Sequence, residues 1–366
     1  MRDTQSSSGR FLINAAAFVI VVAGIKAAEG LIIPVIMAGF LAVILAPAVL
    51  WLVSRRMPAW FAVVVIVLLV LALEIVTAAF LGKSLADFSR NLPAYQERLH
   101  QMTSEHVAWL QEKHLLPSGA DMVQELRPGR VMSFAANTLK KLSGMVTNTF
   151  MIMLTLTFML LEANGMSTKL QAYYGGETDR LEDYGRITAG IKNFLALKTV
   201  TSLATGVLVT AGLAFQGVDF PFLWGMLAFV LNYIPTIGSI IAALPAVLLS
   251  LVQLGTGAAM ITTALYLAIN IVIGNIIEPK IMGRGVGLST LVVFLSMTFW
   301  GWILGPVGML LSVPLTMIAK IFMSSCSHTR PFAIMLGTDR EAELILEDMR
   351  ADRGEDVERG EVTAEQ

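Results

Sequence analysis

Asn232-Tyr233-Ile234-Pro235-Thr236-Ile237-Gly238 interrupts an otherwise apolar stretch that runs from Phe220 to Leu254 and carries a second proline at Pro245. As one helix rising about 1.5 Å per residue, these 35 residues would reach about 50 Å. That is too long for one crossing of a ~30 Å hydrocarbon core and too short for two crossings plus a turn. A re-entrant helical hairpin accommodates it. The pattern returns about 70 residues later, where Pro306, Gly308 and Pro314 answer Pro235, Gly238 and Pro245 within an apolar run from Leu288 to Met323. Two broken apolar hairpins in corresponding positions point to a transporter's substrate site. Proline is also tolerated in ordinary membrane helices, so each run has a second reading as two short crossing helices.

The whole chain agrees with a membrane setting. Of its 366 residues 55% are hydrophobic and 14% charged, and its mean hydropathy is +0.71, outside the range of soluble domains. The formal net charge of −1 gives no reason to expect a nucleic-acid partner. The single cysteine, Cys326, excludes an internal disulfide, and four scattered histidines leave no Cys/His cluster for zinc, so neither metal nor cofactor is expected.

In chain order, Arg2 and Arg10 precede an apolar run from Phe11 to Ala28, read as a retained first helix because another apolar span follows at once without a cleavage site. Further spans are expected at 31–53, 60–81, 142–161, 200–215 and 257–277. The second and third are joined by Ser54-Arg55-Arg56-Met57-Pro58, a tight turn whose arginines place it in the cytoplasm. Alternation then makes both termini cytoplasmic. The expected organisation is three N-terminal spans (1–81), an external amphipathic helical segment (82–141), a fourth span with a cytoplasmic linker helix (142–198), a transport region with hairpins at 220–254 and 288–323 (199–330), and an acidic cytoplasmic tail (331–366). From Gly337 to Gln366 that tail holds eleven acidic and four basic residues. The first hairpin enters from outside and the second from inside. The fold class is therefore all-α, a polytopic α-helical membrane protein with two inverted re-entrant helical hairpins.

Three motifs in this order resemble one family. They are Asn193-Phe194-Leu195-Ala196-Leu197-Lys198-Thr199-Val200-Thr201-Ser202, then the Asn232–Gly238 heptapeptide, then Ile277-Glu278-Pro279-Lys280-Ile281-Met282-Gly283; Gly305-Pro306-Val307-Gly308 and Pro314 fit as well. Together they look like the autoinducer-2 exporter family, across roughly residues 11–336. The resemblance implies a homo-oligomeric, pentameric transporter of the bacterial inner membrane, with elevator-like movement of its hairpin-bearing part. It does not imply one substrate. Members similar to this chain are assigned export of the furanone signal autoinducer-2, or sodium(lithium)/proton antiport.

The candidate solute site comprises Asn232, Tyr233, Pro235, Thr236, Gly238 and Ser239, with Gly305, Pro306 and Gly308 in the second hairpin. Proline removes an amide donor and frees a carbonyl, while glycine permits close approach or positive φ. Unpaired backbone groups at membrane depth must meet protein, water or solute. A packing kink is the plainer account of the same residues. Candidate ion or gate residues are Glu278, Lys280, Glu74 and Lys198. Glu278 stands at the end of a span, where the local expectation is a pair with Lys280 or Arg284. Glu74 lies among Leu71, Leu73 and Ile75, and an acid inside a span is a functional candidate.

Three functions compete: transport of a small solute across the lipid bilayer, intramembrane hydrolysis, and a non-transporting scaffold. Hydrolysis lacks His-Glu-x-x-His, Gly-x-Ser-x-Gly and any paired-acid constellation in the spans, and no phosphate-binding Gly-x-x-x-x-Gly-Lys-[Ser/Thr] loop occurs. A transporter of this sequence would be driven by an ion gradient, proton or sodium, or by the solute's own gradient. The scaffold reading leaves the broken hairpins unexplained.

Overall fold

The computed structural model describes residues 3–113, 149–174, 178–235, 237–282, 287–325, 329–343 and 345–347. Thr236, Arg284 and Cys326, most of the segment between 82 and 141 beyond Lys113, and the tail after Glu347 lie outside them. The order of elements is α1 (Asp3–Ala27), α2 (Glu29–Ser54), α3 (Ala59–Glu112), α4 (Thr149–Tyr174), α5 (Thr178–Gln216), α6 (Pro221–Leu231), α7 (Ile237–Leu254), α8 (Thr256–Ile269), a π-helix (Asn270–Ile277), α9 (Glu278–Met282), α10 (Thr290–Leu310), α11 (Ser312–Ser325) and α12 (Arg330–Met335). No strand occurs among the described residues. Among the described residues six helices are long and apolar enough to cross a membrane: Glu29–Ser54, Ala59–Met102, Ala189–Gln216, Ile237–Leu254, Thr256–Ile281 and Thr290–Leu310. Leu68, Leu69, Leu73, Ile75 and Phe80 on α3 are each more than half exposed. Such a surface suits lipid or another apolar chain, not water.

The chain divides into two compact units, Met1–Leu181 with Leu195–Ile281, and Glu182–Phe194 with Met282–Gln366. In the first, Ala38, Val49, Ala62, Val63, Ile66, Leu156 and Leu160 form a core shared by α2, α3 and α4. Ala38 and Ala62 are wholly buried, small enough to let the helices approach closely where lipid offers no hydrophobic drive to association. The turn from α2 to α3 is as tight as its length demands. Ser54 Oγ donates to the Trp51 carbonyl at 2.7 Å, Arg56 takes a left-handed φ of 69°, and the Arg55 guanidinium lies 5.2 Å from the Trp51 ring centre.

Helix α3 does not stop at residue 81. It continues through Pro93 to Glu112, and its extension grips the foot of the first hairpin. Phe88 is fully buried, edge-on to Phe220 and Trp224 at 5.9 and 5.4 Å, and Tyr95 donates its hydroxyl to Asp219 Oδ2 at 2.7 Å. Phe220 there adopts φ 58°, sparsely populated by non-glycine residues.

The first hairpin is α6, a break, and α7. With no N–H on Pro235 the helical ladder cannot continue, and the chain turns through Ile234 N–H to Leu231 O (2.9 Å), Ile237 N–H to Pro235 O (2.6 Å) and Gly238 N–H to Ile234 O (3.3 Å). The carbonyl that the missing Pro235 N–H leaves without its helical donor, that of Leu231, accepts from Ile234 instead. Pro245 corrects the sequence reading as well: α7 runs through it, with the ring buried. Gly238 is needed for close approach and not for positive φ, since a Cβ there would lie 1.8 Å from the Leu231 carbonyl oxygen.

The second unit repeats the device with different parts. Ser289 caps α10 by accepting from Val292 N–H at 3.3 Å, and α10 is broken at Gly305 (φ 61°, ψ −148°), a region essentially confined to glycine, immediately before Pro306. A Cβ on Gly308 would lie 2.0 Å from the Trp300 carbonyl oxygen, the counterpart of the Gly238 contact. Trp300 Nε1 donates to Thr316 Oγ1 at 3.0 Å, tying α10 to α11, while Trp302 is exposed. Lys320 Nζ donates to the Gly287 carbonyl at 2.6 Å and to Glu341 Oε2 at 2.5 Å, fastening the segment after α12 to the start of this hairpin.

Candidate functional site

Helix α5 carries one polar stripe on its inner side. Lys198, Thr201, Ser202 and Thr205 are all buried, and their spacing of i, i+3, i+4 and i+7 puts them on one helical face. Taking polar groups out of contact with water is costly unless each finds a partner, and here the partners come from the hairpin tip and from α9. Asn232 Nδ2 donates to Ser202 Oγ at 3.0 Å, and the Tyr233 hydroxyl donates to Thr199 Oγ1 at 2.8 Å while Thr199 donates to the Leu195 carbonyl at 2.7 Å. Two side chains of the broken tip are thereby bonded to α5. The approach is close because α5 and α6 meet at glycine: a Cβ on Gly225 would fall 2.6 Å from the Gly206 carbonyl and 1.8 Å from Thr210 Oγ1.

Beside the tip lies a buried ion pair. Lys198 Nζ donates to Glu278 Oε1 at 2.8 Å, with side chains 8% and 14% exposed, and Thr201 Oγ1 donates to the same oxygen at 2.8 Å. This corrects the local expectation for Glu278. Its partner is Lys198 from α5; Lys280 lies exposed two residues further on, and Arg284 is outside the described residues. A buried pair of this kind is weak support for stability, but removing either partner strands a charge.

Glu74 sits apart from the tip. Thr149 Oγ1 donates to its Oε1 at 2.5 Å, and its Oε2 is buried without a hydrogen-bond partner among the described residues. Among the second hairpin's candidates, Gly305 and Pro306 form the break and Gly308 the close contact; these belong to the other unit. No group of three metal-ligating side chains occurs among the described residues.

Sequence reading missed Thr201, Thr205, Tyr266 and Asn270. Behind the tip a pocket of ≈ 10 Å³ is lined by Thr205, Asn232, Ser239, Tyr266 and Asn270 with apolar neighbours, and an adjoining groove of ≈ 280 Å³ shares Ser239, Tyr266 and Asn270. Asn270 opens the π-helix, a widened coil that recurs at functional sites. The polar spacing along α5 was the signal available for Thr201 and Thr205. For Tyr266 and Asn270 it was a weaker one, two polar residues four apart in an apolar span.

The site offers hydroxyls, amides and one ion pair, a set suited to holding a polar solute or moving against one. Comparison with known proteins narrows the class. The family model for AI-2E family transporters matches residues 15–328. The chain is 40% identical to the AI-2 transport protein TqsA of Escherichia coli K12 over 327 residues, 89% of this chain and 95% of that protein. It is 38% identical to a putative transport protein of Haemophilus influenzae over 90% of this chain and 96% of the relative, and 36% identical to the putative transport protein YhhT of E. coli K12 over 90% and 94%. With its helical spans and broken hairpins, the chain belongs to the AI-2E family of membrane transporters, and it is a transport protein and not an enzyme.

Proposed function

We propose that this protein is a secondary or facilitative transporter that exports a small, polar, uncharged solute such as autoinducer-2 from the bacterial cytoplasm. The hairpins are re-entrant and inverted, the termini cytoplasmic, and the hairpin-bearing part moves in an elevator-like manner within a homo-oligomer, a pentamer by family resemblance. The observation that carries the reading is the broken tip at Asn232 and Tyr233, bonded to α5 through neutral groups beside a pocket lined by hydroxyls and amides. Such groups match a furanone-type solute, whose recognition needs hydrogen bonds and no buried charge. The 40% identity to a protein named for AI-2 transport supports the choice of solute. Pro235 and Gly238 set the break, Ser239 lines the pocket, Thr236 is a further solute-contacting or gating residue of the tip, and Gly305, Pro306 and Gly308 take such a role within the second unit. Lys198 and Glu278 hold the gate, with Lys280 at its exposed margin. The test is flux of autoinducer-2 into proteoliposomes, with and without sodium and pH gradients. Uptake no faster than in protein-free vesicles removes the reading.

One observation favours sodium(lithium)/proton antiport as a second reading: Glu74 places inside an apolar span a carboxyl oxygen that is buried without a hydrogen-bond partner among the described residues. The double variant Glu74→Gln, Glu278→Gln should then lose sodium-driven proton movement. Full retention by that variant ends the antiport reading.

A further inference from the structure

We propose that the pocket behind the first hairpin's tip is a hydroxyl receptor, in which Tyr266 binds one hydroxyl group of a small, uncharged, polyhydroxylated solute; this rests on the solute-transport reading above. Tyr266 is only 7% exposed, and its hydroxyl has no hydrogen-bond partner among the described residues. A buried phenol is ordinarily bonded, so this one needs a partner that the described residues do not supply. The pocket it lines, ≈ 10 Å³, is the size of one water molecule or one hydroxyl group.

The hydrogen-bond inventory decides what fits. Thr205 Oγ1 gives its hydrogen to the Thr201 carbonyl at 2.9 Å, and Asn232 gives an amide hydrogen to Ser202, so the threonine oxygen and the Asn232 carbonyl oxygen remain as acceptors. Tyr266 brings a donor. A hydroxyl group accepts from Tyr266 and donates to Thr205 or Asn232, and a water molecule does the same until a solute displaces it. A bare cation would leave the phenol hydrogen unsatisfied, and no carboxylate lines the pocket to offset the ion's lost hydration. The adjoining groove of ≈ 280 Å³ shares Tyr266, Ser239 and Asn270 and is otherwise mainly apolar, with Leu244 and Leu267 on its walls. It has room for the carbon skeleton of a five-membered ring whose hydroxyl enters the pocket.

The experiment uses full-length protein in nanodiscs and two probes, 3-hydroxytetrahydrofuran and tetrahydrofuran, the same ring without a hydroxyl. Calorimetric titration should show the alcohol bound about tenfold more tightly than the parent ether, a ratio expected when one hydrogen bond to a buried group is lost. Tyr266→Phe keeps the ring and removes the unpartnered hydroxyl, so it should melt no lower than the unmodified protein, bind the alcohol about tenfold more weakly and no longer distinguish the probes. Equal discrimination by Tyr266→Phe overturns the proposal, as does failure of the unmodified protein to prefer the alcohol. Radiolabelled sodium retained by the unmodified protein and lost with Tyr266→Phe overturns it in favour of a cation site. Autoinducer-2 flux, read in parallel, separates the two claims. Discrimination that depends on Tyr266 without such flux supports the receptor and removes signal export. Flux with discrimination unaffected by Tyr266→Phe removes the receptor and leaves export in place.

Discussion

Gly238→Ala tests whether the close contact at the hairpin tip governs transport. The new methyl carbon would sit 1.8 Å from the Leu231 carbonyl oxygen, 2.8 Å from its carbon and 3.1 Å from Ile234 Cβ, whereas ordinary contact begins at 3.4 Å. Two of the three neighbouring atoms are backbone, so no rotamer change relieves the clash. The tip itself must open by about 1.6 Å, and forced overpacking of a well-packed site costs about 1–3 kcal/mol. The same opening acts on the segment that carries Asn232 and Tyr233, and with it on their bonds to Ser202 and Thr199. Gly257→Ala in the first turn of α8 is the control, because a Cβ there meets nothing within 4 Å and alanine removes the entropic cost of a helical glycine. Both variants are reconstituted at equal protein-to-lipid ratio, and autoinducer-2 flux and thermal unfolding are measured on the same preparations. Gly238→Ala should lose at least nine-tenths of its flux and melt lower, while Gly257→Ala keeps its flux and melts at or above the unmodified protein. Equal flux and equal melting temperature for the two would show that the tip yields freely, and the hairpin-centred mechanism would fall.

Gly308→Ala in the second unit should behave as Gly238→Ala does, given the 2.0 Å approach to the Trp300 carbonyl; normal flux would refute the functional equivalence of the hairpins. Lys198→Met leaves Glu278 buried and uncompensated and should cost about 3–5 kcal/mol, whereas Lys198→Met with Glu278→Gln should recover most of that loss in a thermal or denaturant unfolding series. Additive losses would mean the two side chains are not coupled. For orientation, Arg56→Cys, Gly283→Cys and Arg340→Cys in a Cys326→Ser background should react with impermeant thiol reagents from the cytoplasm and Leu110→Cys from outside. Labelling of positions 56 and 283 from opposite faces would refute inverted hairpins.

Local chemistry made the break at Asn232–Gly238 readable, because a missing amide and a missing Cβ act within a few residues of where they stand. The turn at Ser54–Pro58 was readable for the same reason, since a five-residue link between long apolar helices has few conformations. Pro245 misled because proline signals a lost hydrogen bond but not whether packing holds the helix together around it, as it does within α7. The end of the third span was taken from hydropathy, which marks where apolar residues stop; the helix continues to Glu112 because its polar residues still favour helix. The partner of Glu278 was hidden by distance along the chain. Lys280 is nearer in sequence, but Lys198 is the cation that packing brings to 2.8 Å. Asn270 opens the π-helix, whose register side-chain periodicity does not announce, and Tyr266 stands in α8 four residues before it, so their spacing alone was a weak signal.

The pairing of Lys198 with Glu278 also bears on how the protein is made. Ala189–Gln216 is the least apolar of the six candidate spans, and it holds a lysine whose counter-charge lies 80 residues downstream. At about 5–20 residues per second the ribosome needs about 4–16 s to supply Glu278, and until then Lys198 has no carboxylate to meet. Lys198 stands just before the expected 200–215 span, where a long side chain reaches the headgroup level, so during that interval water and headgroups are the partners open to its ammonium. Glu278 arrives only after α8 and the π-helix, which makes synthesis of residues 256–278 the step that completes the pairing of a helix already translated.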